Sequence, residues 1–522
     1  MTSRLYSRAR RFAPLRRNGP DLRGDAQVSQ DRPLLRMSTA EIRRPLQVMK
    51  FGGTSVADAG CIRNVVEIVA KAAAANSVVV VVSAMGGVTN KLVEAGVRAQ
   101  AGDGSSMTAI LDGLRRQHLA AAEALIPAGA RRELVTRKID DLFEHGDRLC
   151  QGTMLLRELT LRARDAIWSL GERLNAPIVA AALAESGVAS EAVEATQVIV
   201  TSPHHGEADP LMDLTRESCE ARLRPLLDRD IVPVTTGFIG ASIEGVLTTL
   251  GRGGSDYSAT IIGAALHADE VIIWTDVDGV LTADPNQVRG ARSIPEMSYR
   301  EAAELAHFGA KVLHPKTLRA LRQCGFPLWV RNTFAPARPG TKITPKGAAK
   351  SAGLKAITAS SDVGMISVGG PCIANVHDVV GRTFAMTAAI RADVLLTSHS
   401  SSQSDICLIV SSAHVGRTVE SLRDEFAQEL AQEKVEHIRV DAGVAIVTLI
   451  GQDLGAMSGM MGRACGALGR AGVNMIASTQ GPSECNISFV VTRKDVKAAL
   501  VAMHREFKLG TAEAPRRLGK KF

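Results

Sequence analysis

Several short stretches of this chain put charged or hydroxyl side chains beside glycine pairs, a spacing suited to binding anions. In "VMKFGGTSV" (48–56), Lys50 stands at the end of a strand-like run, with Gly52 and Gly53 following just after Phe51. A lysine there supplies a point charge for a phosphoryl group, and the glycines let backbone amides approach it. The same residues also read as an ordinary β-turn with a solvated lysine. "TTLGRGGSDYSAT" (248–260) holds Gly251, Gly253 and Gly254 around Arg252 and Asp256, between apolar flanks. It is either a loop shaped to hold charge or a flexible linker. It is neither GxGxxG, which needs glycine where Asp256 stands, nor a P-loop. "SAMGGVTN" (83–90) repeats the pattern, as a ligand loop or a tight crossover turn.

Three further stretches are weaker singly. In "SLGERLNAP" (169–177) Glu172 stands at a helix start, where the helix dipole favours a carboxylate; binding of a substrate amine is the sharper reading. "WTDVDGVLTADP" (274–285) spaces Asp276, Asp278 and Asp284 around a glycine, as Asx-turn chemistry or as a nucleotide site. "FGAKVLHPKT" (308–317) adds Lys311 beside Val312, able to reach phosphates.

The elements that must position these groups alternate. From residue 46 to about 335, β-rich runs such as "SVVVVVSA" and "EVIIWTDVDG" alternate with helical stretches, and 107–165 is helix-rich. This predicts an α/β domain with a largely parallel sheet and its sites at strand C-terminal ends. "PARPGTKITPKGAAKSAG" (336–353) reads as a linker. Beyond it the chain repeats at an offset of 81: Gly381-Arg382 matches Gly462-Arg463, and Glu425-Phe426 matches Glu506-Phe507. A pair of small βαββαβ modules is the natural reading.

Composition excludes several classes. Apolar residues make up 45% of the 522-residue chain, and no run has the roughly 18 apolar residues of a membrane span. The net charge of +8 is mostly local: nine arginines and three aspartates in residues 1–36 carry +6 of it, so nucleic acid is not expected. That basic stretch reads as a transit peptide, a disordered arm or an over-extended start before Met37, the last being preferred. The eight cysteines form no CxxC pair and the twelve histidines no HExxH. A reducing cytoplasm is expected, and no metal held by the protein.

Taken together, KFGGTSVAD, SAMGGVTN, SLGERLNAP, TTLGRGGSDYSAT, TDVDGVLTADP and SYREAAELAHFGAKVLHPKT resemble the aspartate kinases, over roughly residues 46–507. The repeats resemble that family's tandem regulatory ACT modules. The resemblance implies the amino-acid kinase fold, a three-layer, mostly parallel open sheet over 46–340. It is preceded by a basic arm (1–45) and followed by a linker (341–353), ACT modules at 354–435 and 436–510, and a basic tail (511–522).

The implied reaction is ATP-dependent phosphorylation of the L-aspartate side-chain carboxylate, with Mg²⁺ held mainly by ATP. Carried over, Lys50 would stabilise the transferring phosphoryl group, and Gly52, Gly53, Thr54, Ser55, Gly253, Gly254 and Ser255 would meet phosphates. Arg252 would grip the substrate α-carboxylate bidentately and Glu172 its amino group. Ser83 and Thr89 would line the pocket, and Asp256 would orient groups at the reacting centre. Thr275, Asp276, Gly279, Lys311 and Val312 match ATP-binding positions, whereas Leu281 and Asn286 depart from the tyrosine and arginine of some members.

In the second module Asn474, Gln480 and Asn486 match effector positions; His399 and Asp405 replace the latter two in the first. Lysine, threonine or both are the expected effectors, and a homodimer or larger the expected assembly. The alternatives are another carboxylate kinase of the same fold and a non-catalytic ACT amino-acid sensor.

Overall fold

The computed structural model describes residues 44–309, 313–347, 353–370, 376–399, 405–480 and 485–510. The expected tail and most of the expected N-terminal arm lie outside the described residues.

The Ser77–Val82 strand shows how the main sheet forms. Its five consecutive valines favour extended backbone, and both of its faces are covered: Val78, Val80 and Val82 enter one core, Val79 and Val81 the other. The neighbouring Leu46–Phe51 strand divides likewise, with Met49 and Phe51 on one side and Leu46 and Val48 on the other.

The eight-stranded sheet runs Ser190–Val193, Val232–Thr236, Ser77–Val82, Leu46–Phe51, Glu270–Thr275, Leu328–Asn332, Thr341–Thr344, Glu296–Ser298. The strands from Ser190–Val193 to Leu328–Asn332 are parallel. Helices Ala59–Ala73, Val88–Ala101, Gly104–Leu125, Ala130–Leu156 and Leu170–Glu185 cover one face. Gly254–Ala265, Tyr299–His307 and Pro315–Cys324 cover the other, so the expected three-layer α/β fold is present. Chain order reverses across Leu46–Phe51, which has Ser77–Val82 on one side and Glu270–Thr275 on the other. A crevice opens beyond the carboxyl end of a strand at such a switch point, and Lys50 is the penultimate residue there.

Two expected boundaries are corrected. The linker expected over 341–353 begins as the Thr341–Thr344 strand, hydrogen-bonded antiparallel to Leu328–Asn332 and parallel to Glu296–Ser298. The two regulatory modules are also not consecutive. Gly353–Ser360 pairs with Val444–Gln452, in the sheet that also holds Met475–Gln480 and Asn486–Thr492. The first module, Val363–Gly369 through His437–Asp441, is complete in itself and is inserted into the second, between Gly353–Ser360 and Val444–Gln452. The expected division at 435/436 therefore cuts away the closing strand His437–Asp441 of one module and assigns to it the Gly353–Ser360 strand of the other.

The 81-residue repeat has a physical meaning within these modules. Arg382 donates from Nε to Glu425 Oε1 (2.6 Å) and from Nη2 to the Glu425 carbonyl (2.7 Å), and its guanidinium lies 4.5 Å from the centre of the Phe426 ring. Arg463 does the same with Glu506 and Phe507, at 3.0, 2.8 and 4.5 Å. In each copy the arginine pins one helix to the end of the next. The residues shared by the repeats are a packing device.

The second module is clamped to the kinase domain. Lys355 reaches Glu301 Oε2 at 2.9 Å, with side-chain exposures of 9% and 0%. The same oxygen accepts from Ser298 N and Oγ, completing a capping box on the Tyr299–His307 helix. Lys355→Met strands a buried carboxylate beside its cap and should cost about 3–5 kcal/mol in urea denaturation. Adding Glu301→Gln should return part of that loss. A single-variant loss below about 1 kcal/mol would contradict the role given to the pair.

Candidate active site

Parallel pairing brings the glycine-rich loops to one edge: Phe51 lies opposite both Val82 and Trp274, and Val82 opposite Thr236. Beyond these strand ends lies a cleft of about 490 Å³ lined by Lys50, Ser83, Thr89, Glu172, Arg252 and Asp256, all expected from the sequence. A cavity of about 540 Å³ between Met49, Ile272, Trp274 and Arg331 shares no residue with it.

The centre of the cleft is an ion pair. Lys50 Nζ lies 2.5 Å from Asp256 Oδ1, with side-chain exposures of 11% and 15%. Asp256 stands in the first turn of the Gly254–Ala265 helix, whose amino end has no side-chain cap. The first amides of such a helix have no intrahelical acceptor and favour an anion.

The glycines act differently from expectation. Gly52 N donates to the Trp274 carbonyl (3.1 Å) and Gly254 N to the Gly251 carbonyl (3.0 Å), so neither amide is free for a phosphate. What the glycines supply is space. A Cβ on Gly52 would sit 3.5 Å from Lys50 Nζ, and one on Gly254 would meet Phe238 at 2.7 Å. Gly253 has φ of 69°, and a Cβ there would lie 2.4 Å from that of His314. A Cβ on Gly53 would stand 3.2 Å from the Ala84 carbonyl, so two loops pass closely there. Ser55 is also corrected: it is fully buried, and its hydroxyl is shared with Thr333 at 2.7 Å. Thr54 is exposed, and Ser255 reaches Ser83 Oγ at 3.4 Å.

Glu172 is 2% exposed and its Oε2 has no hydrogen-bond partner among the described residues. Burial pushes its carboxyl up to about 8, against the opposing pull of backbone amides, the Lys50 ammonium and the Ser83 hydroxyl. A buried acid with one oxygen left unpartnered suits a site completed by a cationic group of a ligand. Asn175, one turn along the same helix, donates to the Ser83 carbonyl at 2.7 Å and fixes the loop over it.

Sequence reasoning missed Arg164, Trp168, Glu207 and Phe238, which complete the lining. Asp165, fully buried, ties together the segments that carry Arg164, Trp168 and Glu207: it accepts from Thr249 Oγ1 (2.6 Å), Gly206 N (3.0 Å) and His205 Nδ1 (2.9 Å). The only local signal was Trp168, four residues before Glu172; contacts across 41 and 84 positions leave no local pattern.

At the carboxyl end of the Glu270–Thr275 strand, among the positions expected to bind ATP, Thr275 Oγ1 donates to Asp276 Oδ1 at 3.1 Å. Gly279 has φ of 118° and packs where a Cβ would meet Thr341 Oγ1 at 2.5 Å. Asp278 is held by Asn332 and Arg338, and Asp284 caps its own turn through Asn286 N. Lys311 and Val312 lie outside the described residues. Leu281 forms an isolated bridge with Ser293. Among the described residues no group of three or more His, Cys, Asp or Glu could hold a metal ion, and no helix is long and apolar enough to cross a membrane.

Of the expected effector residues, Asn474, Gln480 and His399 are exposed. Asp405 lies 3.9 Å from His437. Asn486 faces inward: its amide donates to Glu304 Oε2 on the kinase domain at 2.6 Å. It joins two domains where an effector ligand was expected.

The model of the amino acid kinase family matches residues 45–332, and that of the ACT domain 447–507. The chain is 34% identical to aspartokinase 1, chloroplastic, of Arabidopsis thaliana over 467 residues, covering 88% of this chain and 80% of that protein. It spans about half the length (51%) of a bifunctional aspartokinase/homoserine dehydrogenase of the same plant. Escherichia coli aspartokinase III in complex with aspartate and ADP (R-state) superposes with a TM-score of 0.77 at 29% identity, covering 89% of this chain and all (100%) of that one. The same enzyme in complex with lysine and aspartate (T-state) gives 0.71 at 30% identity, covering 88% and 99%.

The raised Glu172 carboxyl sets a pH dependence of stability. Between the ordinary carboxylate range and about 8 the folded protein binds a proton that the unfolded chain has lost. Stability from this group is therefore full at low pH and lost as pH rises through 8. Glu172→Gln should match the parent in thermal midpoint at pH 5 and exceed it at pH 9. A gap independent of pH would contradict this.

Proposed function

The chain belongs to the aspartokinases of the amino acid kinase family, and from that premise we propose how its cleft transfers the γ-phosphoryl group of ATP to the side-chain carboxylate of L-aspartate, giving 4-phospho-L-aspartate. The observation that carries the reading is the pairing, in one cleft, of a Lys50–Asp256 charge pair at a helix amino end with a buried Glu172 whose Oε2 has no partner among the described residues.

The acceptor is already a carboxylate, so no protein nucleophile or general base is required. The work is positioning and charge neutralisation. Lys50 meets the transferring phosphoryl oxygens, and Asp256 aims its ammonium. The uncapped helix start presents the Ser255 and Asp256 amides to the same charge. Arg252 receives the α-carboxylate and Glu172 the α-ammonium, which requires Glu172 to lose its proton on binding. Magnesium, brought by the nucleotide phosphates, would neutralise their charge; Thr275 and Asp276 stand on the nucleotide side.

The ACT modules suit feedback control by an amino acid, and lysine is the favoured effector because it accompanies the T-state neighbour. Gln480 and Asn474 are exposed for contact, while Asn486 would relay a change to the Tyr299–His307 helix through Glu304. The reading includes pairing of ACT modules between copies into a dimer or larger, and a cytoplasmic setting, in which the seven free cysteines among the described residues stay reduced.

An acyl-hydroxamate assay with ATP should report turnover with aspartate and little with glutamate, inhibited by lysine; no turnover with aspartate would refute the activity. Lys50→Ala should lower kcat by about a hundred- to a thousandfold with an unchanged fold. Because a raised Glu172 must deprotonate to bind, kcat/KM for aspartate should climb with pH toward 8 in the parent. That climb should vanish in Glu172→Gln.

A further inference from the structure

Arg164 is a cleft residue with no role in the reading above. Its guanidinium carbon lies 4.6 Å from the centre of the Trp168 ring, a cation–π contact that restrains the group. Its Nε is buried without a hydrogen-bond partner, and no ion pair among the described residues involves it. A Cβ on Gly206 would stand 2.6 Å from Arg164 Nη2, so the head of the side chain lies over the Gly206 backbone. A Cβ on Gly251, next to Arg252, would in turn lie 3.2 Å from the Gly206 carbonyl and from Glu207.

The two arginines are held in register by the residue between them in the network. Asp165, next to Arg164 in the chain, ties Gly206 N and both the amide (3.3 Å) and hydroxyl (2.6 Å) of Thr249, three residues before Arg252. The cleft thus holds three cations. Lys50 is matched by Asp256 and directed at the phosphoryl group. The other two, Arg164 and Arg252, flank the Gly206–Gly251 contact.

We propose that Arg164 is a second guanidinium for the α-carboxylate of the acceptor, sharing it with Arg252 and selecting an amino acid whose α-carboxylate is free. The proposal rests on the aspartate kinase reading. Three features favour a ligand carboxylate: a charged planar fork, a stacking partner that pays its ordering cost in advance, and no carboxylate of its own. A solvated surface arginine needs none of them.

The test compares Arg164→Ala, Arg164→Gln and Arg164→Lys with the parent enzyme. Arg164→Ala should raise KM for aspartate about tenfold or more, leaving kcat and KM for ATP within about twofold. Arg164→Lys should recover only part, because a point charge lacks the fork. L-Aspartate α-amide, which lacks the α charge, should inhibit parent and variant with constants within about twofold of each other. The proposal falls if KM for aspartate moves less than about twofold, or if the amide weakens as much as aspartate does. Should Arg164→Ala lower the thermal midpoint, Arg164→Gln decides, since it keeps a planar group over Trp168. Absence of turnover by the parent would overturn the activity, a separate result.

Discussion

A lysine and an aspartate drawn together at the edge of a buried sheet set the terms for the rest of this molecule. Lys50 is the penultimate residue of a strand with strands on both sides, and Asp256 stands in the first turn of a helix on one face of that sheet. Both are nearly dry, and desolvating such a pair costs most of what its attraction returns. Its maintenance therefore needs a rigid frame: valine-rich strands packed on both faces, and glycines at 253 and 254 where a side chain would displace the helix start. The frame also explains why the pair is useful. An ammonium already oriented by its counter-ion, beside an uncapped helix end, needs little reorganisation when phosphate charge arrives.

The acceptor side follows a different logic. Glu172 is buried with its Oε2 unpartnered among the described residues, and burial pushes its carboxyl up to about 8. A substrate ammonium would supply what is missing. Binding and deprotonation are then one event, and selectivity for an amine arises from the cost of leaving a buried carboxylate unpaired. Asp165 is the contrast: equally buried, but satisfied by two backbone amides, the Thr249 hydroxyl and His205, it holds segments together.

Much of this was legible in particular residues. The valine run at 78–82, the paired-glycine loops and Glu172 beside Gly171 all identified the sheet and the cleft, because each is a local pattern with a local cause. What escaped detection depended on distant partners. Nothing in GGTS says that Gly52 N would be consumed by Trp274, or that Ser55 would turn inward to Thr333. The interleaving of the modules was hidden for the same reason: Gly353 pairs with Gln452, so the repeat offset located the copies but not the strand that one borrows across the other. Asn486 matched an effector position by sequence, yet its neighbour in space is Glu304, on another domain.

That last contact belongs to a set that makes regulation mechanically plausible. The Tyr299–His307 helix is held at its start by Lys355 through Glu301, along its length by Asn486 through Glu304, and just past its end by Thr358 on the Phe308 carbonyl (3.4 Å). Thr282, in the segment that follows the Glu270–Thr275 strand, bonds His504 at 3.0 Å, and Arg292 bonds the Leu509 carbonyl at 2.7 Å. The module cannot shift against the kinase domain without breaking several of these contacts or carrying the segment with it. Packed interfaces of this kind have few alternative arrangements, so a small bias at the module becomes a choice between states. Linkage then requires reciprocity: if an effector favours the state that binds nucleotide poorly, bound nucleotide must weaken the effector by the same factor.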